Sequence, residues 1–537
     1  MTASMTQPSP LALAKRLPLY LLIACLPFTD FVQNGLVAFN AAPVMGDIGA
    51  SPEEYSLVAT LYAVVAIAVI SKHRWLVERL GWRLFVQISC ALFAVGALVC
   101  GSSGSLAGFA FGRAVMGAGS ASFMTAGRVL VNRMPPTPAR FTGIRFFASG
   151  IAWGATIGPL LASVMWSSNG WRAGFFVLLV PALAIAAIGS VVLPRELPEA
   201  GPRSQSHPLG LLVLMAGSFV LLHALQRSGF DFFSDPLTTV LPLALALPAL
   251  WLFVWLDGRR EHPLIRFKSL AQPRYLVGLA VFGVAYVVLG ADNVMLPVLL
   301  QRALGLPLEV IGRYLALGAL AGVASWIVMA RLLPKSPGPT RYYLIGFAAL
   351  FGFSVLMAST SETAHPMQRI VPALLLHGAF VIIVLSTTAM QTFQTLQRDD
   401  TTFSHANQVK NMLAQFGMAI GVALATLCMQ WRSAVHNARL AESLSASNLA
   451  LHDTLQRLTQ YFATSADPVN ASRLAIAHVA QWATQEATLM AALDYFMAIA
   501  ALASACLVLV LAERGLRHRR QTLHARTPML ADLQERA

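Results

Sequence analysis

Phe111-Gly-Arg113-Ala-Val-Met116-Gly-Ala-Gly119 and, after a basic loop, Gly150-Ile-Ala-Trp153-Gly154-Ala-Thr-Ile-Gly158-Pro159 decide how this chain is read. Arg113 stands inside an apolar, glycine-rich run. A charge at membrane depth costs about 3 kcal/mol even on the most lenient insertion scale, so it is expected to face a polar interior and a partner. The loop between the two stretches is Asn132-Arg-Met-Pro-Pro-Thr-Pro-Ala-Arg140, and Trp171-Arg172 opens the helix that follows. Gly150, Gly154 and Gly158 are four residues apart, so they share one helix face and let a neighbouring backbone come close. Pro159 adds a bend. A buried arginine beside a glycine-striped, bent helix suits a moving transport core. The competing reading is an ordinary helix pair with one snorkelling arginine.

The rest of the chain agrees with a membrane setting. Of its 537 residues 56% are hydrophobic and 12% charged, against roughly a quarter charged in soluble domains. The net charge of +14 would suggest nucleic acid in a soluble protein. Here the basic residues gather in short loops and at the C-terminus, so no nucleic-acid partner is expected. The five cysteines, Cys25, Cys90, Cys100, Cys428 and Cys506, lie in apolar runs without ligand spacing, which predicts neither disulfides nor a metal site. The apolar run after Lys15 and Arg16 is too long for a signal peptide and reads as a first, uncleaved span.

At about 20 residues per span, the hydropathy pattern predicts fourteen helices: 18–40, 55–72, 83–102, 105–130, 141–165, 172–193, 209–226, 237–257, 275–299, 309–332, 341–359, 370–392, 404–430 and 488–512. The expected fold class is an all-α polytopic membrane protein. Lys72, Arg74, Arg79, Arg83, Arg133, Arg140, Arg195, Arg203, Arg259, Arg260, Arg266, Lys268, Arg274, Arg331, Lys335 and Arg341 fall on the side of both termini. That side is expected to be cytoplasmic. Residues 431–487 form one long external segment with Leu440, Leu444, Leu451, Leu455 and Leu458 at helical spacing. An amphipathic helix or hairpin on the protein or membrane surface is expected there, with a docking role as the alternative. The basic tail after Leu511 is expected at the anionic inner leaflet.

These residues resemble a known family. Arg113-Ala-Val-Met-Gly-Ala-Gly looks like the helix 4 arginine motif of the major facilitator superfamily, and Gly150 to Gly158-Pro159 looks like its helix 5 antiporter motif. Fourteen spans rather than twelve point to the drug:proton antiporters of the EmrB/QacA type. Glu261-His-Pro-Leu-Ile, Leu296-Pro-Val-Leu-Leu-Gln301 and the run from Gln485 to Asp494-Tyr-Phe resemble that group's segments in the same order. The resemblance implies a bundle of 6+2+6 helices: a cytoplasmic N-terminus over 1–17, a six-helix bundle over 18–193, two inserted helices with their loops over 194–274, a second six-helix bundle over 275–512, and a basic cytoplasmic tail over 513–537. It implies proton-coupled efflux of small amphipathic compounds from a bacterial inner membrane, with no cofactor and the proton gradient as energy source. Small-molecule substrate, protons and membrane lipid are the implied partners, together with a periplasmic adaptor and an outer-membrane channel. Export of one metabolite or siderophore, or a non-transporting sensor on a transporter frame, are the alternatives.

The departures from the family pattern matter. In the gating loop between helices 2 and 3, Arg74 stands in the glycine place and Glu78-Arg79 in that of the acid–base pair, with Gly81 and Arg83 retained. Counting back from Ala42-Pro43, the family's helix 1 acid position is Asn34, and Asp30 lies one turn earlier on the same face. Lys410 stands where helix 13 commonly has arginine.

Aspartates within spans are few: Asp30, Asp292 and Asp494. Each is a functional candidate by its cost. Asp30 is expected to load and release a proton, with Arg113 setting its affinity. Asp292 is open between a coupling role and solvation at the interface, and Asp494 is expected to be structural. His223 and His377 are expected to be packing residues. Gln33, Asn34, Met116, Phe123 and Trp153 are candidates for the substrate cavity wall. The chain contains no His-Glu-x-x-His, Gly-x-Ser-x-Gly or Walker A sequence, so an intramembrane enzyme or an ATP-driven pump is not expected.

Overall fold

The computed structural model describes residues 13–168, 170–197, 203–336, 338–361, 365–443, 448–465 and 467–534. Leu444 of the leucine stripe lies outside them. Among the described residues every regular element is helical. Fourteen helices among the described residues are long and apolar enough to cross a membrane, and they are numbered spans 1 to 14. They are Leu17–Phe39, Pro52–Ser71, His73–Ser102, Leu106–Asn132, Pro138–Met165, Trp171–Val192, Pro208–Asp231, Leu237–Gly258, Pro273–Ala303, Leu308–Leu332, Pro339–Ala358, Pro366–Phe393, Asp400–Glu442 and Pro468–Leu516.

Each span matches one expected from the sequence, and the differences lie at the ends. Residues 73–80 are helical rather than a loop. The chain kinks at Gly81, whose φ of 75° and ψ of 163° suit a residue without a side chain. Span 4 is two helices, Leu106–Ser120 and Phe123–Asn132, separated by a turn. Span 9 closes in a π-helical turn, Val298–Ala303, directly after Pro297.

The segment at 431–487 is mostly helix. Span 13 extends through Ser443, Leu449–Phe462 forms a separate helix, and span 14 begins at Pro468. Asn448 caps that separate helix by accepting from the Ala450 and Leu451 N–H groups. Leu451, Leu455 and Leu458 are half-buried on one face while their polar neighbours are exposed. The helix packs against the start of span 14, with Phe462 and His478 ring centroids 6.1 Å apart. Past Leu511 the backbone continues as helix to Gln534.

The chain divides into two compact units. One comprises Met1–Asn293, Leu308–Ala316 and Ala389–Ala423; the other comprises Val294–Pro307, Leu317–Thr388 and Leu424–Ala537. In the second unit spans 10 and 12 meet through Gly318, Gly322 and Gly378, where an added Cβ would strike opposing backbone. Spans 11 and 14 pack through Phe353 and Phe496, 5.6 Å apart edge to face. Asp494 accepts from Arg432 Nε and bonds His436 Nε2, both at 2.6 Å, tying span 14 to span 13 as a structural ion pair. His377 packs on Phe353 with centroids 4.7 Å apart. The first unit holds the residues taken up next.

Candidate functional site

Span 1 is seated in the glycine groove of span 5. A Cβ on Gly150 would fall inside the van der Waals shell of the Ala24 carbonyl, and one on Gly154 would lie 2.7 Å from the Phe28 carbonyl. At Gly158 the opposing residue is Gly35, and Pro159 Cδ lies against the same glycine. The backbones therefore approach more closely than any larger residue permits. Ala24, Phe28, Phe31 and Gly35 occupy the face turned to span 5. Asp30 and Gln33 sit two residues past Phe28 and Phe31, about 200° round the helix, on another face. The groove thus fixes where the polar residues of span 1 point.

They point into a hydrogen-bonded cluster. Gln33, fully buried, is its centre. Its amide nitrogen donates to Tyr62 Oη at 2.7 Å and Asn34 Oδ1 at 2.8 Å, with Asp30 Oδ1 a longer contact at 3.4 Å. Its Oε1 accepts from Arg113 Nη1 at 2.9 Å. Asn34 Nδ2 also reaches Asp30 Oδ1 at 3.4 Å. Arg113 is 4% exposed, lies 4.2 Å over the Tyr62 ring and touches Met116 Sδ at 3.4 Å. Tyr62 Oη pairs with Ser120 Oγ at 3.2 Å. The direct partner of Arg113 is therefore a neutral amide. No ion pair joins it to Asp30, and Gln33 bridges the two charges.

Span 13 brings a second group of polar residues to the same unit. Gln408 Nε2 donates to the Ile70 and Ser71 carbonyls, both at 2.9 Å, and Asn411 Nδ2 to Thr125 Oγ1 at 2.7 Å. Close glycine contacts hold span 13 on span 9: Gly290 meets the Met418 backbone, Gly417 the Tyr286 side chain and Gly421 the Val287 carbonyl. Lys410 is thereby buried, with its Nζ 5.7 Å from the Phe282 ring centroid and within electrostatic reach of Asp30 and Arg128. The composition of Ser404-His-Ala-Asn-Gln-Val-Lys-Asn411 signals this polar face, of which the family resemblance marks only Lys410. Tyr62, Thr125 and Arg128 were not picked out, being single polar residues in apolar runs.

The remaining candidates are dispersed. Met116 is fully buried, its backbone against Gly96. Phe123 is buried with its ring 5.7 Å from Phe93. Trp153 is 45% exposed. Asp292 is 1% exposed, so solvation at an interface does not describe it. His223 stacks on Phe219 with centroids 5.5 Å apart.

The first turns of span 3, which the sequence predicts as the loop after span 2, are anchored by side-chain contacts. Arg74 Nε donates to Glu78 Oε1 at 2.6 Å, while Glu78 Oε2 accepts from the Ser204 backbone N–H at 2.8 Å and from its hydroxyl. Arg79 stacks 4.2 Å over Trp75 and donates to the Ser204 carbonyl at 3.3 Å. Arg83 is half-buried. A Cβ on Gly81 would meet the Glu196 carbonyl at 3.4 Å. The substituted Arg74 and Glu78 thus pair with each other, and together with Arg79 they hold the connection between spans 6 and 7.

A family model described as Major Facilitator Superfamily matches residues 23–426, three quarters of the chain and every element of this cluster. The chain belongs to that superfamily. It is a multi-pass membrane transporter and not an enzyme. Curated relatives include "Putative multidrug resistance protein MdtD" of Escherichia coli O1:K1 / APEC and of Shigella boydii serotype 18. Each is 25% identical over 406 residues, covering 75% of this chain and 84% of the relative. Among solved structures, a bacterial homolog of the human lysosomal transporter Spinster, inward-facing and unoccupied, aligns with a TM-score of 0.53. It is 14% identical, with 93% of this chain and 97% of that one covered. The human organic anion transporter MFSD10 (TETRAN) gives 0.52 at 15% identity, with 93% and 100% covered. Both structures share the facilitator fold.

Proposed function

We propose that this transporter exports small amphipathic compounds across a bacterial cytoplasmic membrane in exchange for protons. The observation that carries the reading is Asp30. It is a half-buried carboxylate on the helix seated in the glycine groove, linked through Gln33 to Arg113 and sensed by Lys410. A single acid among buried cations changes the charge of its surroundings whenever it takes up or gives up a proton. Because Gln33 links it to Arg113 across spans 1 and 4, that change reaches two helices at once. The glycine and Pro159 contacts give span 5 a bend and a close sliding surface beside them. The multidrug name of the relatives supports amphipathic substrates, and two six-helix halves with two inserted spans would place the cluster in the N-terminal half.

The test is flux in inverted vesicles with an imposed pH gradient. Asp30→Asn is expected to remove gradient-driven accumulation of an amphipathic dye while leaving the purified protein monodisperse. Full gradient-driven export by Asp30→Asn would move the proton carrier elsewhere, with Asp292 the next residue to test. In a two-membrane bacterium, crosslinking is expected to capture a periplasmic adaptor, and export unimpaired without any adaptor counts against that partnership.

A further inference from the structure

Two buried cations in the first unit have no counter-charge in contact. Arg128 is 7% exposed and Lys410 is 8% exposed. Their recorded contacts among the described residues are aromatic: Arg128 lies 5.9 Å from the Phe403 ring centroid and Lys410 5.7 Å from that of Phe282. Neither side chain forms a hydrogen bond or an ion pair with any described residue, and the two charges act against each other. Asp30 and Arg113 lie in the same electrostatic neighbourhood, and Arg113 is already taken by Gln33. Among the described residues the neighbourhood therefore holds these three buried cations, with Arg140 also acting on Arg128, and the carboxylate Asp30.

Unpaired buried charge is expensive. An ion taken out of water loses several kcal/mol unless a partner and hydrogen bonds replace its hydration. Burying two like charges within electrostatic reach of each other adds to that cost. Such an arrangement is stable when the counter-charge arrives with something else.

We propose that Arg128 and Lys410 form a binding site for the anionic group, a carboxylate or phosphate, of the transported compound. Asn411 and Thr125, joined at 2.7 Å between the same two spans, fix the site's geometry. Phe403 and Phe282, both buried, and Tyr286, stacked 5.9 Å from Phe282, are the apolar side chains packed beside it. The substrate class is thus amphipathic organic anions. This rests on the transporter reading above and narrows it.

The experiment measures binding, not transport, so it stands apart from the exporter reading. Purified full-length protein in detergent is titrated with naphthalene-1-carboxylate, with the neutral naphthalene-1-carboxamide, and with inorganic phosphate at matched ionic strength, following thermal stability. The carboxylate and phosphate are expected to raise the melting temperature of the native protein, and the carboxamide is not. In Arg128→Gln and Lys410→Gln the anion affinity falls roughly tenfold or more, while Lys410→Arg, which keeps the charge, retains it. Both glutamine variants are expected to be at least as stable as the native protein without anion, because each removes an uncompensated charge. If no anion stabilises the native protein, or the glutamine variants respond as it does, the site is not there. A response to carboxylate and carboxamide alike also overturns it. Failure of vesicle export with anion binding intact would overturn the exporter reading alone.

Discussion

At the scale of residues, Gln33 carries more than any charged group. Its amide is a fully buried hub that donates to Tyr62 and Asn34 and accepts from Arg113. Gln33→Leu keeps the volume but leaves the guanidinium of Arg113 without its acceptor. Removing one partner of a buried hydrogen bond costs about 1–3 kcal/mol, more for a charged group. The variant is therefore expected to melt several degrees lower in detergent and to export poorly. Asn34→Ala, at a half-buried position, is expected to cost less. Equal melting temperatures for Gln33→Leu and the native protein would show that Arg113 is held some other way.

At the scale of elements, the groove between spans 1 and 5 sets the geometry of the cluster. Gly150→Ala puts a methyl group into the Ala24 carbonyl, and helix backbone cannot step aside as a side chain can. Overpacking of this kind costs about 1–3 kcal/mol, and it also turns the face that carries Asp30 and Gln33. Gly210→Ala in span 7 meets nothing within 4 Å and serves as the matched control, expected to be neutral or slightly stabilising. Comparing expression, melting temperature and flux of the two variants tests the groove directly. The start of span 13 offers a second test. Burial would raise the Asp399 carboxyl, but hydrogen bonds from the Thr402 hydroxyl and from the Thr402 and Thr401 N–H groups outweigh it and hold it below the usual carboxylate range. A group lowered in the folded state stabilises above its unfolded value and loses that contribution as pH falls through the folded one. Asp399→Ala is thus expected to lower stability near neutral pH and to converge with the native protein in acid. A constant difference in melting temperature across pH would contradict the cap.

At the scale of the whole molecule, the fourteen spans among the described residues are expected to place the segments before span 1 and after span 14 on one side. The charges of the short loops are expected to put Lys335 in the cytoplasm and Thr464, just past the helix Leu449–Phe462, outside. A reporter active only outside the cytoplasm is expected to be active when fused after Thr464 and silent after Lys335. The same activity at both positions would break the count or the orientation.

The spans were legible in the sequence because crossing a membrane is a local demand. About 20 apolar residues satisfy their own backbone hydrogen bonds, whatever the rest of the chain does. The glycine face of span 5 was legible for the same reason, since spacing within one helix states which residues share a side. The ends were less so: residues 73–80 became helix, and residues around 431–487 joined their neighbouring spans, because polar helix has no hydropathy signal to mark it. Which residues meet is a different matter. That Arg113 binds Gln33 rather than Asp30, and that Lys410 comes to rest near both Asp30 and Arg128, depends on how helices distant in sequence cross. Those crossings are settled by close backbone contacts at Gly35, Gly158, Gly290 and Gly421, so only the packed structure decides them.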